Sequence, residues 1–241
     1  MKNLLIIGDS CRDIFVYCDA LRLAPDYPVP ILNIVDQSEN AGMAKNVQRN
    51  IQKYVDCDIL TNSNWHDITK IRYVHEKTNH MFFRVDKTCS VPRIDLNKLN
   101  LDYQVIVISD YNKGFLTQED IKYICERHPN VFLDTKKVLG DWASDARYIK
   151  INDYEYNNSK PYLTAVLESK IIHTMGGLGC EFRGNRYSVD RAEVKDTSGA
   201  GDSFMAALCV KFLETQDIYE SIKFANSCAS EVVKHRGVTT I

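Results

Sequence analysis

The sequence predicts an α/β fold with a mostly parallel central sheet and a small β-ribbon projecting from one edge. Three observations lead there. Short apolar runs alternate with amphipathic stretches along the chain. Some of those runs are apolar at every position, as in parallel strands buried on both faces. Two others mix polar and apolar residues and lie close together, as in an antiparallel pair with one wet face.

The elements follow in chain order. Leu4–Ile7 forms the first strand; it is too short, and too soon interrupted by Gly8-Asp9, to be a signal peptide. Further strands are expected at 31–35, 57–61, 71–75, 81–85, 105–109, 131–134, 148–151 and 171–174. Those at 4–7, 105–109 and 171–174 are built on continuous apolar runs that end in polar residues at Ser109 and at His173-Thr174, whereas 71–75 and 81–85 form the ribbon. Helices are expected at 42–54, 118–127, 200–214 and 217–234, with a short one within 162–168. In the last long helix Ile218, Ile222, Ala225, Ala229, Val232 and Val233 recur at helical spacing, with Lys223, Glu231 and Lys234 elsewhere around it. Arg183-Gly184-Asn185-Arg186 reads as a hairpin turn. No repeat, low-complexity tract or linker divides the chain, so residues 1–241 read as a single domain.

Composition narrows the class. A formal net charge of −2 gives no electrostatic reason to expect nucleic acid or an acidic membrane surface as partner. No apolar run approaches the roughly 20 residues needed to span a bilayer. The eight cysteines form no Cys-x-x-Cys pair, and none lies near a histidine at metal-ligand spacing. Several sit inside apolar runs, so they read as reduced, structural thiols of a cytoplasmic protein.

The chemistry concentrates at Asp196-Thr197-Ser198-Gly199-Ala200-Gly201-Asp202. Small residues at 199–201 let backbone approach a ligand closely. The helix start that follows offers unpaired N–H donors and the positive end of its dipole, an anion site suited to a phosphate. A carboxylate beside a phosphate repels it unless it has another task, and taking a proton from an attacking hydroxyl is such a task. A lone aspartate at 202 would read as an ordinary helix cap; the whole run, with small residues at 199–201 and a second aspartate at 196, reverses that reading in favour of the general base.

Asp196–Asp202 resembles the signature Asp-Thr-x-Gly-Ala-Gly-Asp of the ribokinase-like (pfkB) carbohydrate kinases and matches each fixed position. The resemblance implies a three-layer αβα kinase that uses ATP and Mg²⁺. Asp202 would be its base, and the backbone of Gly199, Ala200, Gly201 and Asp202 its anion hole. Asn152-Asp153-Tyr154-Glu155 resembles the Asn-x-x-Glu element that organises Mg²⁺ and phosphate, with Glu155 meeting the metal through water. Thr174-Met175-Gly176-Gly177-Leu178-Gly179 resembles the nucleotide-side loop, which implicates Thr174, Gly176 and Gly179; Asn226 resembles a position near the adenine. The bland alternatives are a chance match at 152–155, a tight turn at 174–179 and a polar helix face at Asn226.

The N-terminal half is similar to the heptose-7-phosphate kinase branch. The matching segments are Gly8-Asp9 with Asp13, the Pro-rich 25–30 stretch, Ala41–Val47, Thr69–Arg72, Phe83–Asp86, the Ser109–Gly114 turn and Asp134-Thr135-Lys136. The branch implies acceptor contacts from Asp9, Asp13, Gly42 and Asn46. Arg84 and Lys113 would meet a phosphate already on the sugar, and Lys136 would serve the phosphate side; each basic residue is alternatively a solvated surface charge. Segments 10–38 and 69–87 would form a lid, whose edge could pair two copies of the chain. Two departures stand at the sugar end: Met43 replaces a glycine, and the 50–69 segment is short. A hexose, pentose or nucleoside acceptor, or a catalytically silent sugar- or nucleotide-binding relative, are the competing readings.

Overall fold

The computed structural model of the chain describes residues 2–189 and 194–240. Strand β1 (Lys2–Gly8) shows how the layers arise. Its side chains alternate, and both sides are buried: Leu4 and Ile6 in one core cluster, Leu5 and Ile7 in another. An apolar strand of this kind needs helices on both faces.

The lid strands are β2 (Ser10–Leu23), β3 (Pro30–Met43), β5 (Thr69–His75) and β6 (Met81–Lys87). Helix α1 (Ala44–Ile51) and strand β4 (Cys57–Thr61) complete the N-terminal half. Strands β7 (Tyr103–Asp110), β8 (Val131–Thr135), β9 (Tyr148–Asn152) and β10 (Ile171–Thr174) follow, with α2 (Gln118–Arg127), α3 (Asp153–Ser159) and α4 (Ala165–Glu168) between them. The hairpin β11 (Cys180–Phe182) and β12 (Asn185–Tyr187) precedes α5 (Ala200–Thr215) and α6 (Ile218–Val232).

The central sheet runs β12-β11-β10-β9-β8-β7-β1-β4. It is parallel from β4 to β10, and only β11 and β12 are antiparallel. Helices α1, α5 and α6 pack on the Leu4–Ile6 face with Val105, Val107 and Phe132. Helix α2 covers the other face with Ile106, Ile108 and Leu133. This is the three-layer α/β architecture expected from the alternation of elements.

The expected ribbon proves to be half of a second sheet, ordered β3-β2-β5-β6. Strands β5 and β6 pair antiparallel, but β5 also pairs parallel with β2 over Arg12–Cys18. Strand β2 was not expected from the sequence. Its Arg12, Asp13 and Asp19 interrupt the apolar pattern, and it is held by neighbours distant in the chain. Strand β3 extends well past the expected 31–35, because Asp36–Asn40 pair backbone to backbone with β2 as an exposed edge.

Consequently α1 begins at Ala44 rather than residue 42. Met43 closes the strand at φ 58°, ψ −130°, a conformation costly for any residue with a Cβ. Helix α3 is a further addition, started by reciprocal capping between Asn152 and Glu155. The Arg183-Gly184 turn, the 118–127 helix and the 57–61 strand stand where the sequence places them.

Phe132 anchors the centre of the α5 face, fully buried with the rings of Tyr148 and Phe212 at 5.3 and 5.1 Å. Phe132→Ala leaves a cavity there and is expected to cost about 3–5 kcal/mol. Urea unfolding followed by tryptophan fluorescence measures it.

Candidate active site

Parallel strands leave a crevice beyond their carboxyl ends. Here Gly8, Asp110, Thr135, Asn152 and Thr174 all end at the same edge of the sheet, and α5 begins there. Gly199, the residue before that helix, has φ 79°, and a Cβ on it would lie 2.9 Å from Asn46 Nδ2. Both conformation and crowding therefore demand glycine. The first turn leaves backbone N–H groups without helical acceptors.

Asp202 sits in that turn and is 4% exposed. It does not act as a cap for the helix. Its Oδ1 accepts from Tyr111 Oη at 2.6 Å and its Oδ2 from Asn46 Nδ2 at 2.9 Å. Burial raises its pKa above the ordinary aspartate value, against the opposing pull of the Asn46 and Tyr111 hydrogen bonds and of Lys150. Tyr111, buried beside Asp202, has its own pKa pushed well up by desolvation and by that carboxylate, so it remains the donor.

Two lysines bring positive charge to the same place. Lys150 is 3% exposed and donates to Asp134 Oδ2 at 2.6 Å. Its Nζ lies 3.0 Å from where a Cβ on Gly201 would stand, so the ammonium abuts the glycine turn. Lys136 bridges to Glu155, and its Nζ is 3.8 Å from Asp134 Oδ1. Burial pulls the Lys136 pKa down, but Asp134 and Glu155 outweigh it and hold the group above the ordinary lysine value. Asp134 Oδ1 itself is buried with no hydrogen-bond partner.

A cleft of about 570 Å³ joins these groups to the nucleotide-side residues. It is lined by Lys136, Lys150, Asn152, Thr174, Gly176 and Gly179, by the turn Gly199–Asp202, and by Asn226. Asn226 donates to Tyr187 O at 2.8 Å, and Thr174 Oγ1 to Ile151 O at 3.2 Å. Glu155 lies behind the wall, its two oxygens accepting from Asn152 N and Asn152 Nδ2 at 2.9 and 3.0 Å as well as pairing with Lys136.

The residues expected at the acceptor end lie on or beside the second sheet, and they differ in what they touch. Asp13 pairs with Arg72 at 2.6 Å, and its other oxygen approaches Gly42 so closely that a Cβ there would stand 2.1 Å away. Asp9, in contrast, is turned away from the cleft. Its carboxylate accepts from the backbone N–H groups of Tyr111, Lys113 and Phe115, which shapes the loop that carries Tyr111. Burial, then Asp110, raises its pKa, while those three N–H groups oppose the rise. Lys113 is half-buried on that loop. Arg84 is exposed on β6 and binds Asp86 through two hydrogen bonds.

Three participants escaped the sequence reading as members of the site. Lys150 looks like a stray charge in a strand; its place two residues before Asn152, on the same side of that strand, is the signal that could have flagged it. Tyr111 lies inside the Ser109–Gly114 element, but its bond to Asp202 spans 91 positions. Arg72 likewise reaches Asp13 across 59. Among the described residues no helix is long and apolar enough to cross a membrane, and no cluster of three His, Cys, Asp or Glu side chains could hold a metal ion.

Residues 126–241 match the model of the pfkB family carbohydrate kinases. Bifunctional protein HldE of Helicobacter pylori strain HPAG1 is 28% identical over 295 aligned positions, which take in 98% of this chain and 64% of that protein. The chain thus spans under two thirds of the length of these relatives, and the aligned span exceeds the chain's own 241 residues because the relatives carry internal segments it lacks. Ribokinase from Thermotoga maritima shares the fold with a TM-score of 0.74 at 16% identity, covering 99% of this chain and 95% of that one. Arabidopsis thaliana ribokinase, solved with ribose and ATP, gives 0.68 at 14% identity over 98% and 94%. Sequence match and fold agree: residues 126–241 match the pfkB family of carbohydrate kinases, and the chain as a whole is similar to HldE proteins in sequence and to ribokinases in fold.

Proposed function

We propose that the chain is an ATP-dependent kinase that phosphorylates a hydroxyl of a sugar phosphate resembling heptose 7-phosphate, with Asp202 as general base. The observation that carries this reading is the placement of Asp202. It is a buried carboxylate held by Tyr111 and Asn46 at the mouth of an anion-binding helix start, where only a proton-accepting task offsets its repulsion of phosphate. The acceptor class rests on the resemblance of the 25–30, 69–72 and 109–114 segments to heptose-7-phosphate kinases.

In this reading the acceptor hydroxyl gives its proton to Asp202, its oxygen forms the new P–O bond to the γ-phosphorus, and ADP leaves with the β–γ bridging oxygen. Tyr111 and Asn46 aim the carboxylate. The first-turn N–H groups of α5 and the ammonium of Lys150 meet the charge spread over the transferring group. The cleft fits a nucleotide: Gly176 and Gly177 leave open space at its rim, and apolar Val189, Val194, Phe204 and Val233 line the wall near Asn226. Asp134 Oδ1, a buried oxygen without a hydrogen-bond partner, and nearby Glu155 suit Mg²⁺, which is held largely by water and phosphate oxygens. When bound, the ion neutralises nucleotide charge.

The outer face of the lid sheet suits a second copy of the chain. Ile34, Phe83 and Val85 are 65%, 47% and 44% exposed and stand in register with Cys18, Tyr73 and Ile71 on one face. A Phe83→Glu, Val85→Glu double variant is expected to run as a monomer in sedimentation, the parent chain as a dimer.

Asp202→Asn is expected to lower turnover at least ~10²-fold while ATP binding persists; assays across a panel of sugars and sugar phosphates check this, and unchanged turnover removes Asp202 from the mechanism. The pH dependence follows from the direction of its shift. The base works only when ionised, so kcat/KM is expected to rise with pH through a value above the ordinary aspartate pKa of about 3.9. Stability runs the other way. A raised folded-state pKa gives a contribution that is complete below the unfolded value and lost as pH rises through the folded one. At neutral pH the ionised group is therefore a burden, and Asp202→Asn is expected to have a higher Tm than the parent by scanning calorimetry.

A further inference from the structure

Charge is out of balance on the inner face of the lid. Pairing places Asp13, Lys70 and Asp86 in one row across β2, β5 and β6, and Phe15, Arg72 and Arg84 in the next. Residues paired across strands project from the same face of a sheet. Arg72 takes Asp13 at 2.6 Å, and Arg84 takes Asp86 at 2.7 Å. Both carboxylates of the row are thereby engaged by arginines.

Lys70 forms no ion pair among the described residues, although it is half-buried. Its Nζ stands 4.9 Å from the ring centroid of Tyr111, the residue that binds Asp202. Burial pulls its pKa below the ordinary lysine value; Cys11 and Asp13 oppose that pull, and Arg72 and Lys113 add to it. A desolvated ammonium without a counter-ion is costly, and an anionic ligand removes the cost. The transferring phosphoryl group already has Lys136 and Lys150, rooted in the central sheet. Lys70 shares the Tyr111 ring with Lys136, at 4.9 and 5.3 Å from its centroid, but is rooted in the lid on β5, in register with Asp13.

We infer that Lys70 is the anchor for a phosphate monoester already present on the acceptor, supported by the half-buried Lys113. The identity of the acceptor rests on the kinase reading above; the recognition of its phosphate is a binding event that needs no turnover. Arg84, assigned to this phosphate by resemblance, is committed to Asp86, whereas Lys70 on the same face forms no ion pair among the described residues.

Calorimetric titration of the full chain with sedoheptulose 7-phosphate, sedoheptulose and gluconate tests the inference. The parent chain is expected to bind the phosphate ester in preference to the other two. Lys70→Met should weaken that binding by about 10- to 100-fold, the worth of a charge-assisted hydrogen bond, and Lys70→Arg should retain most of it. Affinity for sedoheptulose and for ATP should be unmoved in both variants. Equal loss for sugar and sugar phosphate, no loss at all, no binding of the phosphate ester by the parent chain, or preference for gluconate would each overturn the assignment. Phosphate-dependent binding without ADP formation would leave Lys70 in place and remove the kinase reading instead.

Discussion

Asp202 is buried at the start of α5, and its two oxygens are held by two separate segments of the N-terminal half, by Asn46 on α1 and Tyr111 on the loop after β7. A buried carboxylate without such donors is a heavy penalty. The surrounding architecture can be understood as what is needed to supply them. Asp9 fixes the 111–115 loop through three backbone N–H groups. Helix α1 packs directly on α5, with Asn50 donating to Asn46 O at 2.8 Å and accepting from Ser203 Oγ at 3.3 Å. Gly199 gives way where a Cβ would collide with the Asn46 amide.

Around this carboxylate the charges fall into two groups. On the sheet side, Asp134 and Glu155 hold Lys150 and Lys136 against the glycine turn. The Lys150–Asp134 pair is buried and the Lys136–Glu155 pair partly so, and buried pairs contribute more to placement than to net stability. On the lid side, Asp13 and Asp86 hold Arg72 and Arg84, while Lys70 forms no ion pair among the described residues. Opposite signs are matched where groups must stay put and left unmatched where a ligand can supply the balance. The tail reinforces this closed arrangement: Arg236 donates to Glu76 O and Lys77 O at the lid hairpin, and Val238 packs against Phe15 and Val74.

Local rules made the central sheet readable. Strands 57–61 and 171–174 and helix 118–127 have apolar patterns or caps that need no distant partner to be recognised, and the glycine turn announces its chemistry through residue type alone. The lid was less legible, because β2 mixes aspartates and arginines with apolar residues and is defined by pairing with β3 and β5. Helix α1 starts late because Met43 adopts a glycine-like conformation, which an apolar residue does not advertise. Asp9 looked like a sugar ligand, yet its oxygens face a loop more than 100 positions away. Lys150 and Lys70 escaped notice for a related reason: a lysine becomes informative only when the structure shows which carboxylates its neighbours have already taken.

The central claim, that this cleft transfers a phosphoryl group from ATP to a sugar phosphate, is tested most directly by following the products. Phosphorus NMR of the chain incubated with ATP, Mg²⁺ and heptose 7-phosphate should show the nucleotide's γ signal giving way to ADP and a second phosphate ester on the sugar in equal amounts. Persistence of ATP and a single sugar phosphate signal, with both ligands demonstrably bound, would contradict the account.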